Sequence, residues 1–428
     1  MDTAYFWFRR DLRLDDNTAL FHALDENESV QCLFIFDHNI LDELPKDDPR
    51  VTFIHSELEK MHIELQKHGS SLRIEMGKPV DIWKKLIDEE SISSIHTNKD
   101  YEPYARKRDG EVRDLAENNS ITFKRYKDQV IFEENDVLKA DGDPYVVYTP
   151  FKNTWRDQFV ANEHKPHSID GLTDHFATSE HTFPSLEDLG MEKSSIEVKP
   201  FTLEHLDEYD EMRDLPAQDK TSYLSPHLRF GTIGIRSLVQ KVKDNETFSN
   251  ELIWREFFMQ ILYHFPKVVN NNFRSKYDAV PWRNNEDEFE KWCKGETGYP
   301  MVDAGMRQLN ETGYMHNRVR MVVASFLTKH LLIDWQWGEA YFAKKLLDYD
   351  LSANNGNWQW AAGTGCDASP YFRVFNPTSQ LEKFDKKGEY VRTWIKDLDE
   401  LTYPKPMVEH KMARERAIST YKEALADS

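Results

Sequence analysis

Over roughly the first 140 residues, short apolar runs alternate with longer stretches whose apolar positions recur at helical spacing. The runs lie at residues 5–8, 30–36, 72–76 and 92–96, and the helical stretches at 17–24, 53–68 and 80–89. A strand-length run followed by an amphipathic helix, repeated several times, predicts a parallel sheet with helices packed on both faces. After the first run the chain reads Phe8-Arg9-Arg10-Asp11-Leu12-Arg13-Leu14-Asp15-Asp16-Asn17. It lacks the glycine-rich turn that lets a backbone approach a dinucleotide pyrophosphate.

The pattern fades between about 145 and 200, where Pro, Ser, Thr and His accumulate, as in His164-Lys165-Pro166-His167 and Thr182-Phe183-Pro184-Ser185. This stretch reads as a long connector running over a surface. From Leu203 onward the spacing turns helical, with Glu251, Trp254, Arg255 and Phe258 at i, i+3, i+4 and i+7. The expected fold class is therefore α/β plus all-α. A doubly wound, Rossmann-like parallel sheet is expected over residues 1–135, a connector over 136–200 and a helical domain over 201–428.

Charge refines this outline. The chain carries a net −20, yet residues 251–380 hold 14 Lys and Arg against 15 Asp and Glu, so almost all of the excess lies elsewhere. An acidic shell around a near-neutral region leaves room for a local DNA-facing surface, and acidity for solubility alone explains the same numbers. Cys32, Cys293 and Cys366 are far apart, which predicts no disulfide framework, no zinc site and no iron–sulfur cluster. The start Met1-Asp2-Thr3-Ala4 has no basic stretch leading into an apolar run, and no segment approaches eighteen uninterrupted apolar residues. A cytoplasmic protein that neither is secreted nor enters a membrane is expected.

Candidate chemistry concentrates in the C-terminal half, which holds eight of the eleven tryptophans from Trp254 onward. In Asn354-Asn355-Gly356-Asn357-Trp358-Gln359-Trp360, two indoles and several carboxamides surround one glycine, a composition suited to a polar aromatic cavity for a flat ligand. Thr221-Ser222-Tyr223-Leu224-Ser225-Pro226 puts hydroxyls before a helical pattern, where they could hold a phosphate or simply cap a helix. Glu251 and Arg255 on one helical face could bind a ligand or form an i,i+4 ion pair. Asn317 and Met321, four apart beside Arg318 and Arg320, could bond to and pack against a heteroaromatic ring. In Asp348-Tyr349-Asp350 the acids could pair with Arg320, bind a ligand, or cap the next helix.

Several long segments in order carry a resemblance. Phe6-Trp7-Phe8-Arg9-Arg10-Asp11-Leu12-Arg13, Glu251-Leu252-Ile253-Trp254-Arg255-Glu256-Phe257, Thr297-Gly298-Tyr299-Pro300-Met301-Val302-Asp303-Ala304 and Tyr371-Phe372-Arg373-Val374-Phe375-Asn376-Pro377 resemble the photolyase/cryptochrome family, most of all class I cyclobutane pyrimidine dimer photolyases. The resemblance implies an N-terminal antenna-type domain, a helical FAD-binding domain, and UV-damaged DNA as partner, with no membrane, no obligate protein partner and no metal. The protein would act as a monomer.

The reaction so implied is light-driven: excited FADH⁻ gives an electron to a flipped-out dimer, the ring splits and the electron returns. Tyr209, Thr221, Ser222, Tyr223, Leu224, Ser225, Phe248, Glu251, Arg255, Arg320, Asp348, Tyr349, Asp350 and Asn354 would surround the FAD, with Arg320 paired to Asp348 and Asn354 at flavin N5. Glu251, Asn317 and Asn354 would act catalytically. Arg213, Glu251, Trp254, Arg255, Phe258, Asn317, Arg318, Met321, Trp360 and Arg373 would meet the dimer or the DNA. Trp358, Trp335 and Trp282 would relay electrons for photoreduction, with Trp337 either a branch or mere packing. Glu111 would contact a second, antenna chromophore, for which methenyltetrahydrofolate, deazaflavin, flavin or none are equally allowed.

The rival reading is a blue-light receptor of the cryptochrome kind acting through a protein partner. Asn354 stands where animal cryptochromes usually have cysteine and plant cryptochromes aspartate, and the chain has no long polar tail after Pro377. Six-four photolyases carry histidines where Asn317 and Met321 stand. Asn354, Glu251 and the Asn317/Met321 pair favour dimer repair, whereas the short stretch after Pro377 leaves a sensory side role open.

Overall fold

The structure, a computed structural model, describes residues 2–426. It divides into two compact units, each woven from three stretches of chain. The first comprises Met1–Val137, Asn153–Phe201 and Tyr223–Leu252, and the second Leu138–Lys152, Thr202–Ser222 and Ile253–Ser428.

In the first unit β1 (Thr3–Phe8), β2 (Val30–Asp37), β3 (Arg73–Gly77), β4 (Ile92–Asn98) and β5 (Thr122–Tyr126) form one sheet in the order β3-β2-β1-β4-β5. Every pairing is parallel, and Phe6 lies opposite Cys32 on one side and His96 on the other. Successive strand side chains point to opposite faces. Ala4, Phe6 and Phe8 thus join a core with Leu20, Leu24, Leu58 and Leu65 from the helices Thr18–Glu26 and Pro49–Gln66. Tyr5 and Trp7 join the opposite core with Trp83, Leu86 and Val112 from Pro79–Glu89 and Pro103–Asn118. Burial on both faces explains why β1 and β2 read as nearly continuous apolar runs.

Two features depart from the hydrophobic pattern. The helix Pro103–Asn118 and strand β5 continue the alternation past the last run read from sequence, because that helix buries little more than Ala105, Val112 and Ala116 among many charges. The expected connector is in fact structured and packed. Tyr148–Ala161 is helical, and Phe176, Leu189 and Met191 are buried in the first unit's core. Phe176 bridges to Val30, and the Ala177 N–H donates to the Val30 carbonyl at 2.9 Å. Apolar residues spaced singly leave no periodic signal, yet each fills its own gap.

The first unit also reclaims residues 223–252 through a buried charge network. Arg236 donates from Nε to Asp16 Oδ1 at 2.8 Å and from Nη2 to Asp128 Oδ1 at 2.7 Å, while Arg13 Nη2 donates to Asp128 Oδ2 at 2.6 Å. Asp16 sits at φ +50°, and a Cβ on Gly234 would overlap its carboxylate. Burial alone would raise the Asp128 pKa, but the guanidiniums of Arg13 and Arg236 hold it down at about 2.

The second unit is helical. Glu286–Lys294, Pro300–Thr312, Asn317–Ser325, Trp335–Lys345, Leu351–Ala362, Pro377–Phe384 and Glu389–Trp394 are among its helices. They converge on one core that includes Trp292, Met306, Val323, Phe326, Trp335, Phe342 and Trp358. A wider helical turn at Phe326–His330 brings the fully buried Lys329 to the end of Leu351–Ala362. Its Nζ donates to the Ala362 carbonyl at 2.6 Å, beside the Tyr421 hydroxyl that donates to the same oxygen at 2.8 Å. No helix among the described residues is long and apolar enough to cross a membrane.

The charge network predicts a specific acid response. A carboxylate held below its unfolded pKa of about 3.9 contributes stability that is complete above that value and is lost as pH falls toward the folded one. Urea unfolding between pH 5 and pH 2 should therefore show stability falling with pH. Asp128→Asn should lose about 3–5 kcal/mol at neutral pH, because it strands two buried guanidiniums, and should flatten that acid slope.

Candidate functional site

The heptad singled out in the sequence lies within the helix Leu351–Ala362. Asp350 caps its N-terminus, with Oδ1 accepting from the Ser352 and Ala353 N–H groups at 3.1 and 3.2 Å. Gly363, at φ +84°, closes the other end. Two of the carboxamides hold backbone. Asn355 Nδ2 and Gln359 Nε2 donate to the Val268 carbonyl at 2.9 and 3.0 Å, and Gln359 Oε1 accepts from the Phe273 N–H at 2.8 Å. They bind the segment after the Glu246–His264 helix to this one.

Asn354 and Trp358 lie one turn apart toward the Trp335–Lys345 helix. Trp358 is 2% exposed and packs edge-on to Phe342, centroids 5.0 Å apart, and to Trp292 at 6.2 Å. A Cβ on Gly338 would overlap the Trp358 ring and come within 2.6 Å of Leu327, so only glycine allows the two helices this close. The Asn354 amide nitrogen donates to the Glu339 backbone carbonyl at 3.1 Å and to Glu339 Oε1 at 2.9 Å. A backbone carbonyl can only accept, so this contact fixes which end of the amide is nitrogen. The amide oxygen is the end left to meet a ligand. Burial raises the Glu339 pKa, and the bond from Asn354 opposes that rise.

Asp348 pairs with Arg320, whose Nη2 and Nη1 lie 2.8 and 3.3 Å from its carboxylate, while Arg320 Nε donates to the Met315 carbonyl at 2.8 Å. Of the two acids flanking Tyr349, one thus forms the ion pair and the other is a helix cap. Tyr349 itself packs partly buried against the core. The helix Asn317–Ser325 is capped by His316, whose Nδ1 accepts from the Arg318 N–H at 3.2 Å. Burial pulls the His316 pKa down to about 4, which keeps that nitrogen an acceptor at neutral pH. Asn317 is exposed and Met321 half-buried, on the side away from the buried Val319, Val322 and Val323. Arg318 donates to Asp214 Oδ1 from Nη2 and Nε at 2.8 and 3.2 Å and lies over the Phe384 ring.

On Glu246–His264, Glu251, Trp254 and Arg255 are half-buried. Phe258 differs from its expected place at the DNA. It is 5% exposed, fills the space a side chain on Gly356 would take, and lies 5.5 Å from the Trp254 ring, so it belongs to the interior and not to the surface that would meet DNA. Trp335 is 2% exposed with Nε1 bonded to Asn272 Oδ1 at 2.9 Å, and the half-buried Trp282 stands edge-on to Tyr421 at 5.9 Å. Trp282, Trp335 and Trp358 all belong to or pack against one core. Trp337 meets Phe289 at 5.2 Å, and Trp360 is half-buried.

The remaining expected residues are divided between the units. Tyr223, Leu224, Ser225, Phe248 and Glu251 belong to the first, and Tyr209, Arg213, Thr221, Ser222 and Arg373 to the second. Tyr223 takes φ +52° before the short helix Leu224–Phe230, and its hydroxyl accepts from Lys199 at 2.8 Å. Leu224 and Phe248 are buried and Ser225 is exposed. Arg213 lies over the Tyr209 ring and Arg373 over Phe375. Glu111 is exposed on Pro103–Asn118, 3.8 Å from Lys107.

Residues 4–169 match the DNA photolyase family, and residues 248–402 match the FAD-binding domain of DNA photolyase. A deoxyribodipyrimidine photo-lyase from Synechococcus sp. is 36% identical over 98% of this chain and 96% of its own length. This chain belongs to the DNA photolyase family. Its fold also superposes on a bacterial class III photolyase from Agrobacterium tumefaciens, with a TM-score of 0.87 and 34% identity over 99% of this chain and 98% of that one. An archaeal photolyase from Sulfolobus tokodaii, solved with two FAD molecules, gives 0.85 and 36% over 99% and 100%.

The photolyase donor set fits an FAD. An oriented amide oxygen at Asn354 and the Arg320–Asp348 pair offer the mixture of acceptor, cation and anion that the polar edge of an isoalloxazine requires. Glu339, which holds the Asn354 amide, and His316, which caps the Asn317–Ser325 helix, are two residues that sequence reading missed. Glu339 is fifteen positions from Asn354, on another helix, and no spacing rule connects them. His316 could have been read from its place just before a helical pattern.

The helix contact yields a stability test. Gly338→Ala should destabilise the protein by about 1–3 kcal/mol through overpacking against Trp358. Gly110→Ala, which would meet nothing within 4 Å, should be neutral or stabilise by up to about 1 kcal/mol. Denaturant unfolding of the two variants beside the parent protein distinguishes them.

Proposed function

We propose that this chain is a light-dependent DNA repair enzyme that splits cyclobutane pyrimidine dimers, a carbon–carbon lyase working with FAD. What carries this reading is the convergence on one helix of Asn354, with its amide held by Glu339, the buried Trp358 and the half-buried Trp360. Alignment over nearly the full length with deoxyribodipyrimidine photo-lyases, at 36% identity, supports it. Reduced FAD, when bound, supplies the absorption of light and the electron.

The rest is the protein's own work. Asn354 presents a fixed acceptor to the cofactor, and Arg320 with Asp348 holds its polar edge. Tyr209, Thr221, Ser222, Tyr223, Leu224 and Ser225 serve its phosphates and ribityl chain, with Phe248 and Arg255 nearby. Glu251 and Asn317 hydrogen-bond the flipped dimer, Met321 packs on it, and Trp254 and Trp360 stack on its bases. Arg213 and Arg373 meet DNA phosphates. Arg318 donates to Asp214 from Nε and Nη2, so it has Nη1 to offer a phosphate. Trp282, Trp335 and Trp358 pass reducing electrons inward from the surface. The α/β portion, residues 1–135 in this reading, is where an antenna chromophore would sit near Glu111 if the protein holds one, and the helical portion does the repair. A net charge of −20 suits a soluble monomer in the cytoplasm.

The deciding experiment mixes reduced protein with dimer-containing oligothymidylate under blue light and in darkness. Dimers should disappear only in the light, and no light-dependent loss would refute the proposal. Glu251→Ala should retain FAD and lower repair yield roughly tenfold, the scale of a lost hydrogen bond to a charged group. Release of FAD instead would place Glu251 in the cofactor site. Trp282→Phe should slow photoreduction of oxidised protein by an order of magnitude or more while leaving repair by chemically pre-reduced protein intact, followed by the flavin absorbance.

A further inference from the structure

Trp254 has a partner that the proposed function leaves unused. The Tyr148 ring lies parallel to its indole, with centroids 3.6 Å apart and an interplanar angle of 7°. Aromatic pairs in cores prefer offset or edge-on packing, because aligned faces bring like quadrupole charge together. A face-to-face pair therefore has to be imposed by its surroundings, and here they do so. The Tyr148 N–H is held by Asp367 Oδ2 at 3.0 Å, and the fully buried Phe257 abuts both rings edge-on, at 5.9 Å from Tyr148 and 5.7 Å from Trp254. Phe151, 1% exposed, packs on Phe257 from behind.

Burial gives the pair a direction. Tyr148 is only 7% exposed, whereas Trp254 is half-buried. The tyrosine is thus the inner ring and the tryptophan the outer one. Trp254 cannot sink into the protein or tilt toward Phe257 without displacing a ring that is anchored through its own backbone.

We propose that Tyr148 is a positioning residue for damage recognition: it backs the inner face of Trp254 so that the indole stands ready to stack on an extruded pyrimidine dimer. This rests on the repair reading given above. It makes the Tyr148 aromatic ring matter, and its hydroxyl not.

The test measures affinity for a dimer-containing duplex and for its undamaged counterpart, using FAD-loaded protein in the dark. Tyr148→Leu should bind the dimer duplex roughly tenfold more weakly, the scale of one lost stacking contact. Its FAD content and its affinity for undamaged duplex should stay at the parent values, and Tyr148→Phe should restore the dimer affinity. In a Trp254→Leu background the same Tyr148→Leu change should cost nothing further, because the ring it supports is gone. An equal loss in both backgrounds, or no loss in either, overturns the proposal. If Tyr148→Leu fails to hold FAD, Tyr148→Met takes its place in the same cycle. Parent protein that does not repair dimers under blue light refutes the proposed function itself, whereas repair by the parent with no coupling between residues 148 and 254 refutes only this inference.

Discussion

The second unit depends on how closely the helix Leu351–Ala362 can approach its neighbours. Two glycines set that distance. A side chain on Gly338 would overlap Trp358, and one on Gly356 would overlap Phe258. With both absent, indole and phenyl rings seat directly on backbone, and Asn354 comes within hydrogen-bonding reach of Glu339. Close packing and amide orientation are thus one event. Interiors at this density do not absorb an added methyl group without moving something.

That approach also sorts side chains that look alike in the sequence. Of the four amides between residues 354 and 359, Asn355 and Gln359 hold the chain near Val268, Asn357 is exposed and bonds back to Ala353, and Asn354 alone is turned toward the candidate site. A helix presents a new face with each residue, so neighbours in a carboxamide-rich run meet different surroundings. The acids at 348 and 350 divide in the same way into ion pair and cap.

The first unit solves a different problem. Its sheet is apolar on both faces, and the polar work is gathered beyond the end of β1, where Arg13, Asp16, Asp128 and Arg236 satisfy one another out of water. Such a network contributes less net stability than an apolar core of equal volume would, because of desolvation, but each member is costly to remove alone. It draws residues far along the chain into the sheet's own unit, and the two units are interleaved in sequence as a result.

The sequence by itself determined the parallel α/β alternation, the helical C-terminal half and the family, since each rests on local periodicity or on contiguous motifs such as Glu251 to Phe257. It also contained the alternatives for Asp350, cap or ligand, without deciding between them. Tertiary structure alone decided that Phe258 is interior, that Glu339 holds Asn354, that Tyr148 lies on Trp254, and that the stretch around Phe176 is packed rather than loose. The physical reason is common to all four. Local spacing reports which residues share a face of one element, but contact between elements depends on how closely backbones meet, and here that was set by the absence of side chains at two glycines and by isolated apolar residues with no period to betray them.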